Sequence, residues 1–394
     1  MLIGLVGKPS VGKSTFFKAA TLAEVEIASY PFTTIKANHG VGYVKVDCIE
    51  KEFNVKCNPN HGFCLRGNRF VPIDLMDVAG LVPGASEGKG LGNQFLDDLR
   101  QADCFIHIVD ISGTTNIEGK PTTGHNPADD VRFLEEELNK WYFNILIKIW
   151  PTFSRKVDIE GRKLSEAVTK QFSGLKVNEE QVKEVLLKFN FPNKSSQWTN
   201  EELKNFANEL RKISKPMIIA ANKVDISEGK ENYEKLKKEF PELIIIPCSA
   251  DSELALRQAS KVGLIDYIPG ERDFEIVKDL NEKQKEALLK IKESVLKDFE
   301  SGTGVQEILN LAVFDLLRYL PIFPAGATKL GDSKGNLLPD CFLLPPGSTA
   351  LDFAYFLHTD FGKNFIKAVN AKTKMILSKD YKLKPRDALE IMTR

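Results

Sequence analysis

Four short apolar runs, each ending in a polar loop, frame this chain: Leu2 to Val6, Phe70 to Met76, Pro216 to Ala221 and Leu243 to Cys248. Runs of this length without strict alternation predict strands buried on both faces, as in a mostly parallel sheet covered by helices. Another period takes over between the second and third runs. Leu134, Leu138, Trp141, Ile145 and Ile149 recur three or four residues apart, the stripe of an amphipathic helix. Asn178 with Gln181, and Thr199 with Glu202, have the spacing of capping boxes and predict two further helix starts. Charges across 129–205 balance, so this stretch reads as a helical hairpin or small bundle whose stripe packs its own helices. Residues 278–300 and 303–320 read as two more helices, stopped by Pro321 and Pro324. The remainder, 321–394, reads as short strands and one helix.

The loop after the first run carries the chemistry. Gly7 to Ser14, GKPSVGKS, fits GxxxxGK[ST], with a strand running in and a helix opening at Lys13, Ser14 and Thr15. Gly7 and Gly12 let the backbone through Lys8, Pro9, Ser10 and Val11 curl so that N–H groups converge on phosphate oxygens. The helix N-terminus adds partial positive charge. Lys13 reaches the terminal phosphates, and the Ser14 hydroxyl is a Mg²⁺ ligand. After the second run comes Asp77-Val78-Ala79-Gly80. Its carboxylate suits a Mg²⁺-bound water, and the Gly80 N–H suits the terminal phosphate. After the third run, in Asn222-Lys223-Val224-Asp225, the Asp225 carboxylate accepts from two guanine donors, and adenine would leave it unpaired. Asn222 ties this loop to the phosphate loop, and the Lys223 stem lies on the base. After the fourth run, a backbone N–H of Ser249-Ala250 meets the guanine oxygen. Four peptides in this order imply a guanine-nucleotide site.

A magnesium threonine should stand between the first two peptides, and Tyr30-Pro31-Phe32-Thr33-Thr34 offers two. YPFTT, together with DVAGLVPGASEGKGLGNQFLDDLR over Asp77 to Arg100, resembles the Obg family of GTPases, and within it the YchF-type Obg-like nucleotidases of archaeal style. The resemblance places the Mg²⁺ role on Thr34, with Thr33 in reserve. LPPGSTALDFAYFLHTDFG near the C-terminus resembles a TGS domain, a small β-grasp module found in translation-linked proteins. Three departures matter. The chain keeps NKVD where many YchF-type members carry a version that accepts ATP. Ser10 stands where the family has an asparagine that helps hold a monovalent cation, which leaves K⁺ assistance open. Leu81 stands where many switch GTPases have a water-orienting glutamine. The branch resembled uses a histidine from a later loop; here that loop offers His125, with a solvated loop histidine as the alternative reading.

Composition changes little. The 394 residues, 42% apolar and 27% charged, suit a globular chain with several domains. No apolar run approaches the roughly 20 residues of a membrane span, so a cytoplasmic protein is expected. Six cysteines show no CxxC pair, and Cys48, Cys57, His61 and Cys64 match no common zinc spacing; a reduced hairpin or loop is the reading. Net charge is zero, but 361–394 holds nine Lys and Arg against three Asp and Glu, a candidate RNA footprint.

The expected fold is an α/β phosphate-loop NTPase with helices on both faces of its sheet. Its nucleotide domain covers 1–128 and 206–272, with a helical insertion at 129–205, a helical connection at 273–320 and a TGS-like β-grasp domain at 321–394. The expected activity is slow Mg²⁺-dependent hydrolysis of GTP to GDP by a switch linked to the ribosome or RNA, through the TGS domain or the insertion. Two alternatives remain: a nucleotide-gated RNA- or ribosome-binding module with incidental hydrolysis, or an ATPase like related family members.

Overall fold

The computed structural model describes residues 1–22, 39–78, 80, 98–226, 228–326, 330–331, 335–338 and 340–394. Thr33, Thr34, Leu81 and the glycine-rich stretch after Gly80 lie outside these. The central sheet has seven strands: β1 (Leu2–Val6), β2 (His39–Asp47), β3 (Phe63–Leu65), β4 (Asn68–Asp77), β5 (Cys104–Asp110), β6 (Met217–Asn222) and β7 (Ile245–Cys248). They follow the order β2-β4-β1-β5-β6-β7, with β3 pairing β4 as well. The β1–β4, β1–β5, β5–β6 and β6–β7 pairings are parallel, and β2 and β3 are antiparallel to β4. The α/β class expected from the sequence holds.

The pleat decides which side each residue serves. In β5 every residue is buried. Cys104, Ile106 and Ile108 join the face covered by α1 (Lys13–Thr21) and the helix Val305–Leu311, while Phe105 joins the opposite face under the helical insertion. A strand sandwiched this way must be apolar throughout, which is why the runs are continuous rather than alternating. The sheet changes winding direction at β1. Its carboxyl end, with β4 and β5 on either side, is where an open α/β sheet leaves a crevice for ligand.

The insertion begins with one helix, Pro127–Glu160, capped by the Asn126 side chain, which accepts from Ala128 N at 3.2 Å. Pro127 sits at its first turn, where a missing N–H costs nothing. Leu134, Leu138 and Trp141 are buried as the stripe predicts, but the deep face continues through Tyr142, Leu146 and Trp150. Ile145 and Ile149 are only half-buried. Trp150 packs on Trp198 and Phe206, with ring centroids 5.1 and 5.9 Å away. Both capping boxes form, at Asn178–Gln181 and Thr199–Glu202. The last helix, Asn200–Ser214, runs on past the boundary drawn at 205.

The two later helices are shorter than the periodicity predicts, because Glu282–Ile291 and Val305–Leu311 each pass into one π-helical turn, at Lys292–Leu296 and Ala312–Leu316. A second sheet of five strands closes the chain, in the order Phe342–Leu344, Leu320–Pro324, Ala388–Thr393, Phe365–Asn370, Ile376–Leu377. The helix Ala350–Leu357 seats Phe353 on it, in a core with Ile322, Leu344 and Leu389.

Trp150→Ala should destabilise the insertion by about 3–5 kcal/mol, the cost of emptying a packed aromatic site. Urea unfolding followed by far-ultraviolet circular dichroism checks this, and a loss below about 1 kcal/mol would show that the aromatic cluster is not the insertion's core.

Candidate nucleotide site

The phosphate loop leaves β1 in a curl that three positive-φ residues permit: Gly7 at 149°, Ser10 at 64° and Gly12 at 95°. A side chain at Gly7 would strike Ile108 O, and one at Gly12 would strike the Asn222 amide. Ser10 is the unusual member. A serine there holds a left-handed backbone that asparagine tolerates better, at a strain of order 1 kcal/mol. Lys13 Nζ donates to Gly7 O at 3.0 Å and Lys8 O at 2.8 Å, so the ammonium sits across the loop's mouth. Burial lowers its pKa to about 8, against the opposing pull of Asp77. Ser14 Oγ donates to Asp77 Oδ2 at 2.9 Å. A hydroxyl and a carboxylate brought together this way are hard oxygen donors of the kind Mg²⁺ takes, directly or through water. Gly80 lies beside them; a Cβ on it would come within 3.2 Å of Pro9 Cγ and 3.4 Å of Lys13 Nζ.

The base side is built from the ends of β6 and β7. Asn222 Nδ2 donates to Val11 O at 2.8 Å, and Asn222 Oδ1 accepts from Ala250 N at 3.0 Å. One buried amide thus ties the phosphate loop to the fourth peptide. Lys223, at φ 65°, donates to Ser10 O at 3.0 Å and to Asp110 Oδ2 at 2.8 Å. Asp225 is half-buried, and its carboxylate bonds no described residue. The Ser249 N–H donates to Thr303 O at 2.9 Å, so both amides expected for the guanine oxygen are already engaged. The next amide, of Asp251 in the first turn of the helix Ala250–Lys261, has no partner among the described residues and is the one left for that role.

Sequence reasoning missed three buried groups around the loop. Asp110, closing β5, accepts from Ser112 N and Oγ, Thr114 Oγ1, Thr115 Oγ1 and Lys223 Nζ. Burial alone would raise its carboxyl, but hydrogen bonds from Lys223, Ser112 and Thr115 outweigh it and hold the pKa below the ordinary value. An Asp ending an apolar strand just before Ser and Thr was the available signal. Asp130, in the first turn of the long helix, meets Lys8 Nζ at 2.7 Å from Oδ2 and His125 Nε2 at 2.8 Å from Oδ1. The Lys8 contact is ionic rather than directional, since that ammonium spends a hydrogen bond on Thr115 O at 2.7 Å and Asp130 Oδ2 accepts none. His107, on β5 beside Val6, is the third. Burial, with Lys13 and Lys8 nearby, lowers its pKa to about 3, so it stays neutral under the loop.

These contacts fold the 112–126 loop over the phosphate loop. Gly119 lies so close that a Cβ there would come within 2.7 Å of Pro9 O. His125, expected to be solvated or to position water, is instead largely buried, with Nε2 committed to Asp130. The basic tail is also less free than its count implies. Lys372 and Arg386 both pair with Glu52 of the nucleotide domain, Lys372 at 2.5 Å. A cleft of about 840 Å³ between the long helix and Asn200–Ser214 shares no residue with the phosphate loop or the base-reading peptides. Among the described residues no helix is long and apolar enough to cross a membrane.

A strand-to-helix phosphate loop, a paired Ser14–Asp77 and a base loop clamped by Asn222 define a phosphate-loop GTPase domain with a β-grasp domain behind it. Comparison with known proteins narrows the class. Residues 2–149 match the family described as 50S ribosome-binding GTPase, 220–326 the G4 motif-containing domain of Obg-like GTPase YGR210-like proteins, and 326–393 the TGS domain. The chain is 48% identical over 395 residues to an uncharacterised GTP-binding protein of Methanocaldococcus jannaschii, covering 100% of this chain and 99% of that one. It is similar to the crystal structure of a GTP binding protein from Pyrococcus horikoshii, with TM-score 0.80, 40% identity and full coverage of both chains. It is 29% identical to the ribosome-binding ATPase YchF of Bacillus subtilis, over 93% of this chain and 87% of that one. The chain belongs to the YchF-type, Obg-like family of GTP-binding proteins.

Lys13 provides a pH test. Phosphate should restore its proton, so nucleotide binding above pH 8 should take up a proton and weaken by up to about tenfold per pH unit. Calorimetry of GDP binding in buffers of different ionisation enthalpy, at pH 7 and just below pH 9, measures the uptake. Lys13→Ala should abolish it; equal uptake by the variant would place the titrating group elsewhere.

Proposed function

We propose that this protein binds GTP and hydrolyses it slowly with Mg²⁺, as a switch read by the ribosome or by RNA. The observation that carries the guanine preference is the half-buried Asp225 carboxylate, which bonds no described residue, on a loop that Asn222 fixes to the phosphate loop. A carboxylate held there is satisfied by guanine's ring N–H and exocyclic amine, and adenine offers it no such pair. The guanine oxygen is then left to the Asp251 N–H. Relatives of this chain are named as ATPases, but they share under a third of its residues, and NKVD with an Asp225 that bonds no described residue favours GTP.

Hydrolysis rests on position and charge. Lys13 lies where β- and γ-phosphate charge accumulates, its ammonium exchanging loop carbonyls for phosphate oxygens. Ser14, with Asp77 acting through water, would hold Mg²⁺, which neutralises phosphate charge when bound; Thr34 would complete the set. The Gly80 N–H, against Pro9 and Lys13, is the γ-phosphate sensor. We assign His125 to bracing through Asp130 and Lys8 rather than to water positioning. With leucine at 81, unassisted turnover should be slow, nearer ~10⁻⁴ s⁻¹ than metabolic rates. K⁺ assistance is not assigned to Ser10, whose side chain lacks the amide that the family uses.

The ribosome link rests on the names of relatives, on the TGS domain and on the basic residues of 361–394. Lys372 and Arg386 serve the junction with Glu52, so Lys374, Lys382 and Lys384 are the better candidates for polyanion contact.

Calorimetry should show GTP and GDP binding at least about tenfold tighter than ATP and ADP, with Asp225→Ala erasing the difference. ATP binding as tightly as GTP in the wild type would sink the guanine reading. Separately, co-sedimentation with ribosomal subunits should depend on nucleotide state and fall steeply with salt, by a log–log slope of about −0.7 for each single-strand phosphate contact. Charge reversal at Lys374, Lys382 and Lys384 should flatten that slope. A charge-reversed protein that co-sediments like the wild type moves the contact to the helical insertion.

A further inference from the structure

Between β2 and β4 the chain makes an excursion, residues 48–67, that the nucleotide chemistry does not use. It gathers three cysteines and a glutamate from positions 48 to 64. The ligand atoms of Cys48, Glu50, Cys57 and Cys64 all lie within 4.8 Å of one another. Cys48 Sγ and Cys57 Sγ are 3.8 Å apart, and Cys64 Sγ is 3.8 Å from Glu50 Oε1. A tetrahedral zinc with Zn–S bonds of about 2.3 Å sets its sulfurs about 3.8 Å apart, so Cys48 and Cys57 already stand at one edge length of that polyhedron, with the other ligand atoms within reach of it. A four-iron cube would spread its thiolates much farther. His61, the histidine that the sequence pattern put beside these cysteines, is turned away to Asp340 at 2.8 Å, and Glu50 takes its place.

The surroundings point the same way. Cys48 and Cys57 are buried among the apolar side chains of the main core. The other Glu50 oxygen accepts from Cys57 N at 2.9 Å, which orients the carboxylate and leaves Oε1 toward the sulfurs. Arg69 is wholly buried alongside, its Nη2 at 4.0 Å from Cys48 Sγ, and its Nε and Nη1 have no partner among the described residues. A buried guanidinium with spare donors is costly beside neutral thiols and favourable beside an anion. Three thiolates and one carboxylate around a dication carry net negative charge, which Arg69 offsets.

We propose that Cys48, Cys57, Cys64 and Glu50 bind one Zn²⁺ that fixes the 48–67 excursion as the seat of the C-terminal β-grasp domain. That seat is visible in the contacts. Asn58 N donates to Leu337 O at 2.9 Å, Arg69 Nη2 to Leu338 O at 2.7 Å and Arg386 Nε to Asp47 O at 3.1 Å, while Glu52 takes Lys372 and Arg386. Binding releases the three thiol protons to solvent and forms three Zn–S bonds and one Zn–O bond, with no change of oxidation state. The site has four protein ligands and no open position, so its role is structural.

The test uses the full-length protein purified without chelator. Elemental analysis and native mass spectrometry should find about one zinc per chain. Glu50→Gln and Cys64→Ser, the less buried ligands, should hold it at least about tenfold more weakly against a competing chelator while circular dichroism shows them folded. Cys341→Ser, outside the ligand set, should hold it like the wild type. Stripping zinc from the wild type should make three more thiols reactive to alkylation, a readout that needs no variant. Cobalt in place of zinc should show the visible absorption of a tetrahedral thiolate site. Absence of metal, a Cys48–Cys57 disulfide in its place, zinc retained equally by Cys64→Ser, or zinc lost equally from Cys341→Ser would each overturn the assignment.

Discussion

The constraint on which the site depends is that the phosphate loop must hold its backbone N–H groups inward, around glycines at positive φ with no room for a side chain. Asn222 meets that constraint from across the sheet. Its amide takes Val11 O on one side and Ala250 N on the other, joining the carboxyl ends of β1, β6 and β7. Gly12 leaves just enough room for that amide, so loop and clamp are fitted to each other. Lys223 repeats the tie one residue on, through Ser10 O and Asp110. Phosphate binding and base reading therefore share one rigid frame, and a shift in either is felt by the other.

Charge in this frame is arranged around buried lysines. Lys8 and Lys13 are both nearly inaccessible, and desolvating two ammoniums a few residues apart is unfavourable unless each is answered. Lys8 is answered permanently, by Asp130 and Thr115 O. Lys13 donates only to carbonyls among the described residues, and burial lowers its pKa to about 8 against the opposing pull of Asp77. His107 beneath them is kept neutral by burial, with the two lysines adding to it. The difference between the two lysines separates a structural charge from a functional one.

The insertion and the β-grasp domain both join the nucleotide domain through apolar packing, on different clusters. The insertion covers part of a sheet face through an apolar core that includes Val6, Met76 and Phe105, so it is continuous with the nucleotide domain. The β-grasp domain has its own core around Phe353, but Phe323, Ala325, Leu338, Cys341, Ala371 and Ala388 join the main core of the nucleotide domain, and polar contacts to the 48–67 excursion add to that. This interface is therefore part apolar and part polar. Glu52, holding Lys372 and Arg386 together, is its hinge of charge.

Local chemistry was legible in the sequence wherever neighbours along the chain decide it. The phosphate loop needs its glycines and lysine at fixed spacing, the capping boxes need residues three apart, and continuous apolar runs can only be strands covered on both sides. Those readings, and the α/β class with its TGS module, came from sequence alone. Tertiary structure decided what distant residues do to one another. No spacing rule could put Asp130 on Lys8, turn His125 inward, commit the Ala250 amide to Asn222 or bring Glu50 rather than His61 to three cysteines. Each of these is a pairing of buried polar groups across separate elements. Such groups must find partners wherever packing brings them, and packing is fixed by the whole core rather than by any local pattern.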